Sequence, residues 1–338
     1  MQRLLRHLLL LLCLLLSAYP LLWMTLASFR TDADVLEHPF AWPASWQLRS
    51  YGDVMAAGGF GSAAANLTLL LVALPLAAAA FLWMADLVQF RLRLWHLPFL
   101  LTLGGALLAA QRHPALHRAL YARPGFANAY LNSLTLCIIA VTAAVMLAAL
   151  AAFALSRLKF RGSNLLFLTF MLGMMIPVHV TLIPLNLLLG PQLLNLKGSP
   201  WALAGPYVAF AIPVSVLILR NAFDAIPADL LDAAQIDGCT HWHIFRHVAI
   251  PLAKPALATL VIFNFLTCWN EFAFALTLAD ARRPTLPIAL HHFKGEQGSL
   301  DIPVICAALV ISVAPLLTVY ACAQRHIIRG LTAGAVKE

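Results

Sequence analysis

Few residues of this chain are grouped in a way that could do chemistry. His241, His243 and His247 stand close enough together to raise a metal site. Only His243 and His247 share a helical face, four residues apart. No carboxylate or cysteine recurs beside them at ligand spacing, so no metal site is predicted. The six cysteines are Cys13, Cys137, Cys239, Cys268, Cys306 and Cys322, and all but Cys239 lie in apolar runs. They form no CxxC pair and suggest neither zinc nor a disulfide framework. No GxSxG sequence offers a serine nucleophile, and no GxxxxGK[ST] loop offers a phosphate cradle. No catalytic residue is assigned, and an enzyme is not predicted.

Two constellations remain. The first is a polar stretch from Asn221 to Lys254 that contains Asp229, Asp232, Ala233, Ala234, Asp237, Gly238 and Pro251. The second is Glu271, which stands in an apolar run with Asn264, Trp269 and Asn270. A charge at membrane depth is costly and usually faces a cavity or a partner. Those four residues could line a translocation path, or they could make helix–helix contacts.

The elements that carry these residues follow from composition. Of 338 residues, 62% are hydrophobic and 11% charged. Soluble domains carry about 45–50% apolar and about 25% charged residues. A water-soluble fold could not cover so much apolar surface, so the bilayer is the expected solvent. Spanning helices need about 20 apolar residues each. Stretches such as Leu134–Leu155 are apolar nearly all round, which favours helices over the alternating strands of a barrel. The expected fold is therefore all-α and integral to the membrane. Candidate spans are 6–28, 65–87, 94–111, 129–155, 163–189, 201–220, 255–278 and 303–323, eight in all. The first begins after Arg3 and Arg6 and is longer than a signal-peptide core of about 7–15 residues, so an uncleaved helix is favoured.

The net charge of +8 fits this picture. Arg3 and Arg6, Arg91 and Arg93, Arg157 to Arg161, Arg220 to Lys254, and Arg325 to Lys337 all fall on one side if every span crosses. That side is the cytoplasm, which places both termini inside. Arg112, Arg118 and Arg123, and also Arg282, Arg283 and Lys294, fall on the other side. Segment 65–111 must cross an even number of times to keep the remaining clusters consistent. No basic stripe interleaved with aromatics appears, so no nucleic-acid partner is predicted.

The polar stretch reads as two short helices. Pro227 opens the first, and Asp229 and Asp232 suit its positive end. Gly238 suits a left-handed position after it. Thr240 caps the second, and Pro251 with Pro255 delimits the next span. Ala233 and Ala234 leave a flat face that another surface can approach. The tail from Gln324 to Glu338 is short and basic, and by itself reads as a helix end at the membrane surface.

Asp232-Ala233-Ala234, Gly238 and Val248-x-Ile250-Pro251 resemble the "EAA" coupling loop of type I ABC importer permeases. That family has Glu where Asp232 stands and Leu where Ile250 stands. Trp269-Asn270-Glu271-Phe272 and the tail Gly330-Leu331-Thr332-Ala333-Gly334 resemble its carbohydrate-uptake branch, the maltose-type and glycerol-phosphate-type permeases. Asn132-Ser133-Leu134 and Met175-Ile176-Pro177 through Pro184 also fit, with His179 where Gln is common.

The resemblance implies a type I ABC importer transmembrane domain of six core spans. Segment 65–111 is then an extra two-helix hairpin. The implied division is a first helix and external segment over 1–63, an inserted hairpin over 64–126, the transmembrane domain over 127–323 with its coupling loop at 227–251, and a cytoplasmic tail over 324–338. It implies an inner-membrane permease for a sugar or oligosaccharide, working with a second permease subunit, two ATPase subunits and an extracytoplasmic solute-binding protein. ATP would bind on the ATPase partners, and this chain would hold no cofactor. Asp232, Ala233, Ala234, Asp237, Gly238 and Pro251 would dock on an ATPase. Gln324, Gly330, Thr332 and Gly334 would touch it from the tail. A glycerol-phosphate or polyol solute is the alternative within the class, and an ion-coupled secondary transporter is the alternative outside it.

Overall fold

The structure, a computed structural model, describes residues 2–43, 45–56, 126–158, 160–199, 201–280, 283–292 and 301–335. The expected spans 65–87 and 94–111, and with them the inserted hairpin, lie outside the described residues. Within the described residues every regular element is helical.

Helix α1 (Gln2–Ala27) is followed by two short helices, α2 (Asp32–Glu37) and α3 (Arg49–Ala56). The next helix, α4 (Phe126–Arg157), is apolar nearly all round, so it buries much of its surface in the middle of the protein. It packs most extensively against α7 (Trp201–Asp224). Between them come α5 (Ser163–Met174) and α6 (Val178–Leu189). After α7 the chain forms α8 (Ala228–Ile236), α9 (His241–Ile244), a π-turn at Phe245–Ala249 and α10 (Ile250–Leu252). It then re-enters the bundle as α11 (Lys254–Trp269), α12 (Ala273–Leu278) and α13 (Leu286–His292). The last helix, α14 (Ile302–Ala335), lies against α11, α1 and α3.

Among the described residues, three helical segments are long and apolar enough to cross a membrane unaided: Leu5–Ala27, Asn128–Arg157 and Trp201–Asp224. Up to five cross if each of two bent helix pairs counts as one span. The sequence predicts unbroken spans over 163–189 and 255–278, and both are interrupted. The first bends by 98° between α5 and α6. Pro177 has no N–H to continue the ladder, and its extended backbone (ψ 132°) starts a new helix. The second ends at Trp269, and α12 starts only at Ala273. The segment preceding α11 bends against it by 76°. The boundary expected at residue 323 falls inside α14, whose backbone stays helical to Ala335.

The connection after α1 is pinned from several sides. Arg30 is buried, and its Nε donates to the Asp34 carboxylate at 2.6 Å. Its Nη2 donates to the carbonyls of Asp34 and His38 at 2.7 and 2.8 Å. Asp32 accepts from the backbone N–H of Ile302 at 3.1 Å, so it serves the start of α14. The Arg30 guanidinium holds the Asp34 carboxyl below its usual range, chiefly by that hydrogen bond. A carboxylate depressed in this way contributes stability above its unfolded value of about 3.9 and loses it as pH falls through the folded value. Arg30→Ala is therefore expected to lower the thermal midpoint of the detergent-solubilised chain by a similar amount across about pH 5–8, with the gap to wild type narrowing below about pH 4 but not closing, since the bonds to the Asp34 and His38 carbonyls do not titrate. Thermal unfolding across that pH range checks it.

Candidate functional site

Where the sequence predicts two short helices, the polar stretch between α7 and α11 folds into α8 and a second helical stretch, His241–Leu252, with the π-turn in its middle. Pro227 sits at the N-cap position (φ −56°, ψ 135°), one residue before the helix it was expected to open, and Asp229 lies in the first turn of α8. Gly238 follows the helix end at φ +79°, in the left-handed region that a Cβ disfavours. Thr240 caps α9 by accepting from the His243 N–H at 3.3 Å. Pro251 lies within α10, directly after the π-turn. A proline there removes one N–H from the ladder, and the wider turn, closed by the Ile250 N–H on the Phe245 carbonyl, accommodates the loss.

The loop has a buried face and an exposed one. Leu231 is buried and Ala234 partly so, against the main core. Asp229, Asp232, Ala233 and Ile236 recur at helical spacing on the opposite side, and all are exposed. Asp237 and Gly238 are exposed at the end of that face. Ile236 is 87% exposed and Trp242 is 53% exposed. A small-residue surface, ringed by carboxylates and carrying a projecting isoleucine, suits a partner with basic groups around an apolar pocket.

The loop is fixed to the bundle by residues that the sequence reading passed over. Phe245 is buried among Phe153 of α4 (ring centroids 5.1 Å apart), Phe223 of α7 (6.4 Å) and Trp242 (5.4 Å). Arg157, the last residue of α4, donates from Nη2 to the Phe223 carbonyl and, at 2.7 Å, to that of Ile226. Ser156 donates to the Asp224 carboxylate. The Arg220 guanidinium lies 3.7 Å from the same carboxylate and 4.0 Å above the Phe167 ring of α5. One sequence signal was available. Arg157 stands at a helix C-terminus, where cations meet free carbonyls. The carbonyls it serves, however, belong to the end of α7 and the bend after it. His243 and His247 stack at 5.1 Å on the exposed side of the same segment.

The second constellation surrounds the break between α11 and α12. Glu271 is not inside a continuous span as expected; it occupies the turn. Its Oε1 accepts from the Phe274 N–H at 2.8 Å, and its Oε2 from the Ala275 N–H at 3.2 Å. The Tyr207 hydroxyl of α7 donates to Oε2 at 2.8 Å. The carboxylate thus caps α12 and ties it to α7. Asn264 is buried and donates to the Ser215 hydroxyl at 2.9 Å. Trp269 is buried too, donates to the Ser312 carbonyl at 3.2 Å, and packs edge-on against Tyr130. Asn270 is exposed, with its side chain on the Leu266 carbonyl. The four residues are therefore neighbours with different surroundings. Gln324, Gly330, Thr332 and Gly334 lie on the final turns of α14, far along the chain from both constellations.

Comparison with known proteins places these features in a lineage. Residues 124–333 match the family of binding-protein-dependent transport system inner membrane components. A chain of Caldicellulosiruptor sp. (strain Rt8B.4), described as an ABC transporter permease protein, is 43% identical over 61% of this chain and 74% of its own. The diacetylchitobiose uptake system permease protein of Streptomyces coelicolor (strain ATCC BAA-471 / A3(2) / M145) is 25% identical over 98% of this chain and 88% of its own. A crystal structure of a bacterial ABC transporter involved in import of the acidic polysaccharide alginate contains a chain that matches with a TM-score of 0.64. That match covers 95% of both chains at 20% identity, a likeness of fold.

The aromatic socket makes a stability prediction. Phe245→Ala empties a buried ring site and is expected to cost about 3–5 kcal/mol, whereas Trp242→Ala, at a half-exposed ring, costs much less. Thermal denaturation of the two purified variants checks the order.

Proposed function

Because the chain belongs to the family of binding-protein-dependent transport system inner membrane components, we propose that it is the permease subunit of an ATP-binding-cassette importer for a sugar or oligosaccharide. It is a multi-pass inner-membrane transport protein. The observation that carries the mechanistic reading is the loop at 227–251. It presents an exposed acidic and small-residue face, while its other side is locked into the ends of α4 and α7.

In this reading the exposed face, with Asp232, Ala233, Ala234, Asp237 and Gly238, seats in a cytosolic ATPase subunit. Pro251 marks the far end of the loop, where it turns back toward the membrane. ATP binds on the partner, and closure of the ATPase pair moves the docked face. The Phe245 socket and the Arg157 bridge carry that displacement into α4 and α7, which shifts the bundle between two states. A second permease subunit, two ATPase subunits and an extracytoplasmic solute-binding protein complete the assembly. The six core spans, the added hairpin over 64–126 and cytoplasmic termini belong to the same proposal. So does the division at 1–63, 127–323 and 324–338, with the tail residues Gln324, Gly330, Thr332 and Gly334 reaching the ATPase.

The solute path is proposed at the α11–α12 break. Asn270 and Glu271 stand at its surface, and Asn264 and Trp269 hold the wall behind them. A sugar offers hydroxyls, which an amide and a carboxylate can bind by hydrogen bonds. A polyol, or the hydroxyls of a glycerol-phosphate, would use the same donors and acceptors, whereas a phosphate group would be repelled by the carboxylate and need donors elsewhere. The break between α5 and α6 and that between α11 and α12 are features that favour ion-coupled secondary transport instead.

Uptake into proteoliposomes holding the chain with its cognate partners separates these readings. Gly238→Pro forces φ to about −65° where the loop needs a positive value, and should abolish ATP-dependent uptake. Gly238→Ala should lose only part of it, since the left-handed backbone costs a Cβ about 1–2 kcal/mol and nothing crowds that position. Undiminished uptake by the proline variant contradicts the coupling role. Uptake that needs no ATP and stops on collapse of an ion gradient identifies secondary transport.

A further inference from the structure

We propose that the segment between α1 and α3 is a membrane-interface anchor, whose Phe40, Trp42 and Trp46 side chains sit in lipid at the headgroup boundary. The inference rests on α1 as a spanning helix and on nothing about the transported solute.

Depth comes first. The apolar part of α1, Leu5–Ala27, has 23 residues. At about 1.5 Å per residue it spans roughly 35 Å, slightly more than a hydrocarbon core of about 30 Å. Its last turn therefore reaches the headgroup level. Trp23 lies one turn below that end, about 6 Å deeper. The Trp23 indole N–H donates to the Pro39 carbonyl at 2.7 Å. Pro39, and Phe40 after it, are thereby held at the level of the final turn of α1 and cannot stand out in water.

The rest of the segment is tied to the same level. The Gln47 N–H donates to the Phe29 carbonyl at 2.9 Å, and the Trp46 ring lies 5.2 Å from that of Phe29. Ser28 and Tyr51 share a hydrogen bond of 2.8 Å. Val35 supplies the inward side, buried with Ala27 and Cys306. Facing outward are Phe40, 80% exposed, Trp42, 75%, and Trp46, 63%, with Leu36 and Leu48, beside the exposed polar groups of Glu37 and His38.

The occupant follows from continuity. None of the apolar window of α1 is buried, and Tyr19, Leu21 and Leu22 carry its exposed face up to the last turns. Hydrocarbon covers such a face, and the segment's aromatic rings extend it into the zone where lipid changes from apolar to polar. Tryptophan concentrates in that zone because its ring is apolar and its N–H is not. A water-soluble protein docking on this surface would have to enter the headgroup layer to meet it.

The test uses the full chain in vesicles of phosphatidylethanolamine and phosphatidylglycerol, with Trp42→Phe, Trp46→Phe and the double variant beside wild type. The quantity read is the tryptophan emission that wild type has and the double variant lacks. Expected is loss of that emission when the lipid is brominated near the ester end of its acyl chains, with little loss to iodide in the water. Quenching by iodide with none by brominated lipid overturns the proposal. So does emission that brominated lipid leaves unchanged and that shifts only on adding a purified solute-binding protein, since the surface would then be a protein-docking site. Neither readout needs ATP or transport, so the importer reading stands or falls separately.

Discussion

A helix that ends in or near a bilayer leaves backbone N–H and C=O groups that water cannot fully serve. In this protein, side chains of other elements pair them. Arg157, at the end of α4, takes the carbonyls of Phe223 and Ile226 where α7 runs out. Glu271 takes the first N–H groups of α12, and Asp32 takes that of Ile302 at the start of α14. Ser133 accepts from the Leu286 N–H at 2.8 Å and so fixes the start of α13. Each pairing satisfies a terminus; the bonds from Arg157, Asp32 and Ser133 also fasten two elements together, and Glu271 does so through the Tyr207 hydroxyl. The break between α11 and α12 can exist because Glu271 serves the start of α12 in this way.

The loop at 227–251 depends on one such junction. Its outer face is left free, with Ile236 projecting and carboxylates around it. Its inner face is committed to α4 and α7 through Phe245 and Arg157. A loop free on both sides would absorb a partner's motion. One packed on both sides could not receive it. In the proposed coupling, rigidity toward the bundle and exposure toward a partner would together make a lever, and Gly238, at positive φ, supplies the sharp turn after α8.

What was legible in the sequence was mostly local. Pro227, Asp229, Gly238 and Thr240 act through their own backbone or their neighbours', so short-range rules placed the loop helices to within a residue. The apolar runs gave α1, α4 and α7 because a long uninterrupted helix needs only composition. The breaks were not read correctly. Hydropathy is continuous through Pro177 and through Asn270 and Glu271, and it carries no information on direction. Glu271 was noticed as a charge in an apolar run, but its role as a cap depends on Tyr207, 64 residues away. Asn264 and Trp269 drew attention as polar groups, and their partners Ser215 and Ser312 come from helices that only the tertiary fold brings near. Arg157 and Phe245 were hidden for the same reason, since an arginine at a span end and a phenylalanine in a loop are common.

The central claim is that the Arg157 junction transmits ATPase motion to the spans. Its direct test is the number of solute molecules moved per ATP hydrolysed, measured in proteoliposomes for wild type and Arg157→Met. The methionine keeps apolar bulk but cannot donate to the carbonyls of Phe223 and Ile226. The account predicts that hydrolysis continues while transport per ATP falls sharply. An unchanged ratio in the variant would contradict it.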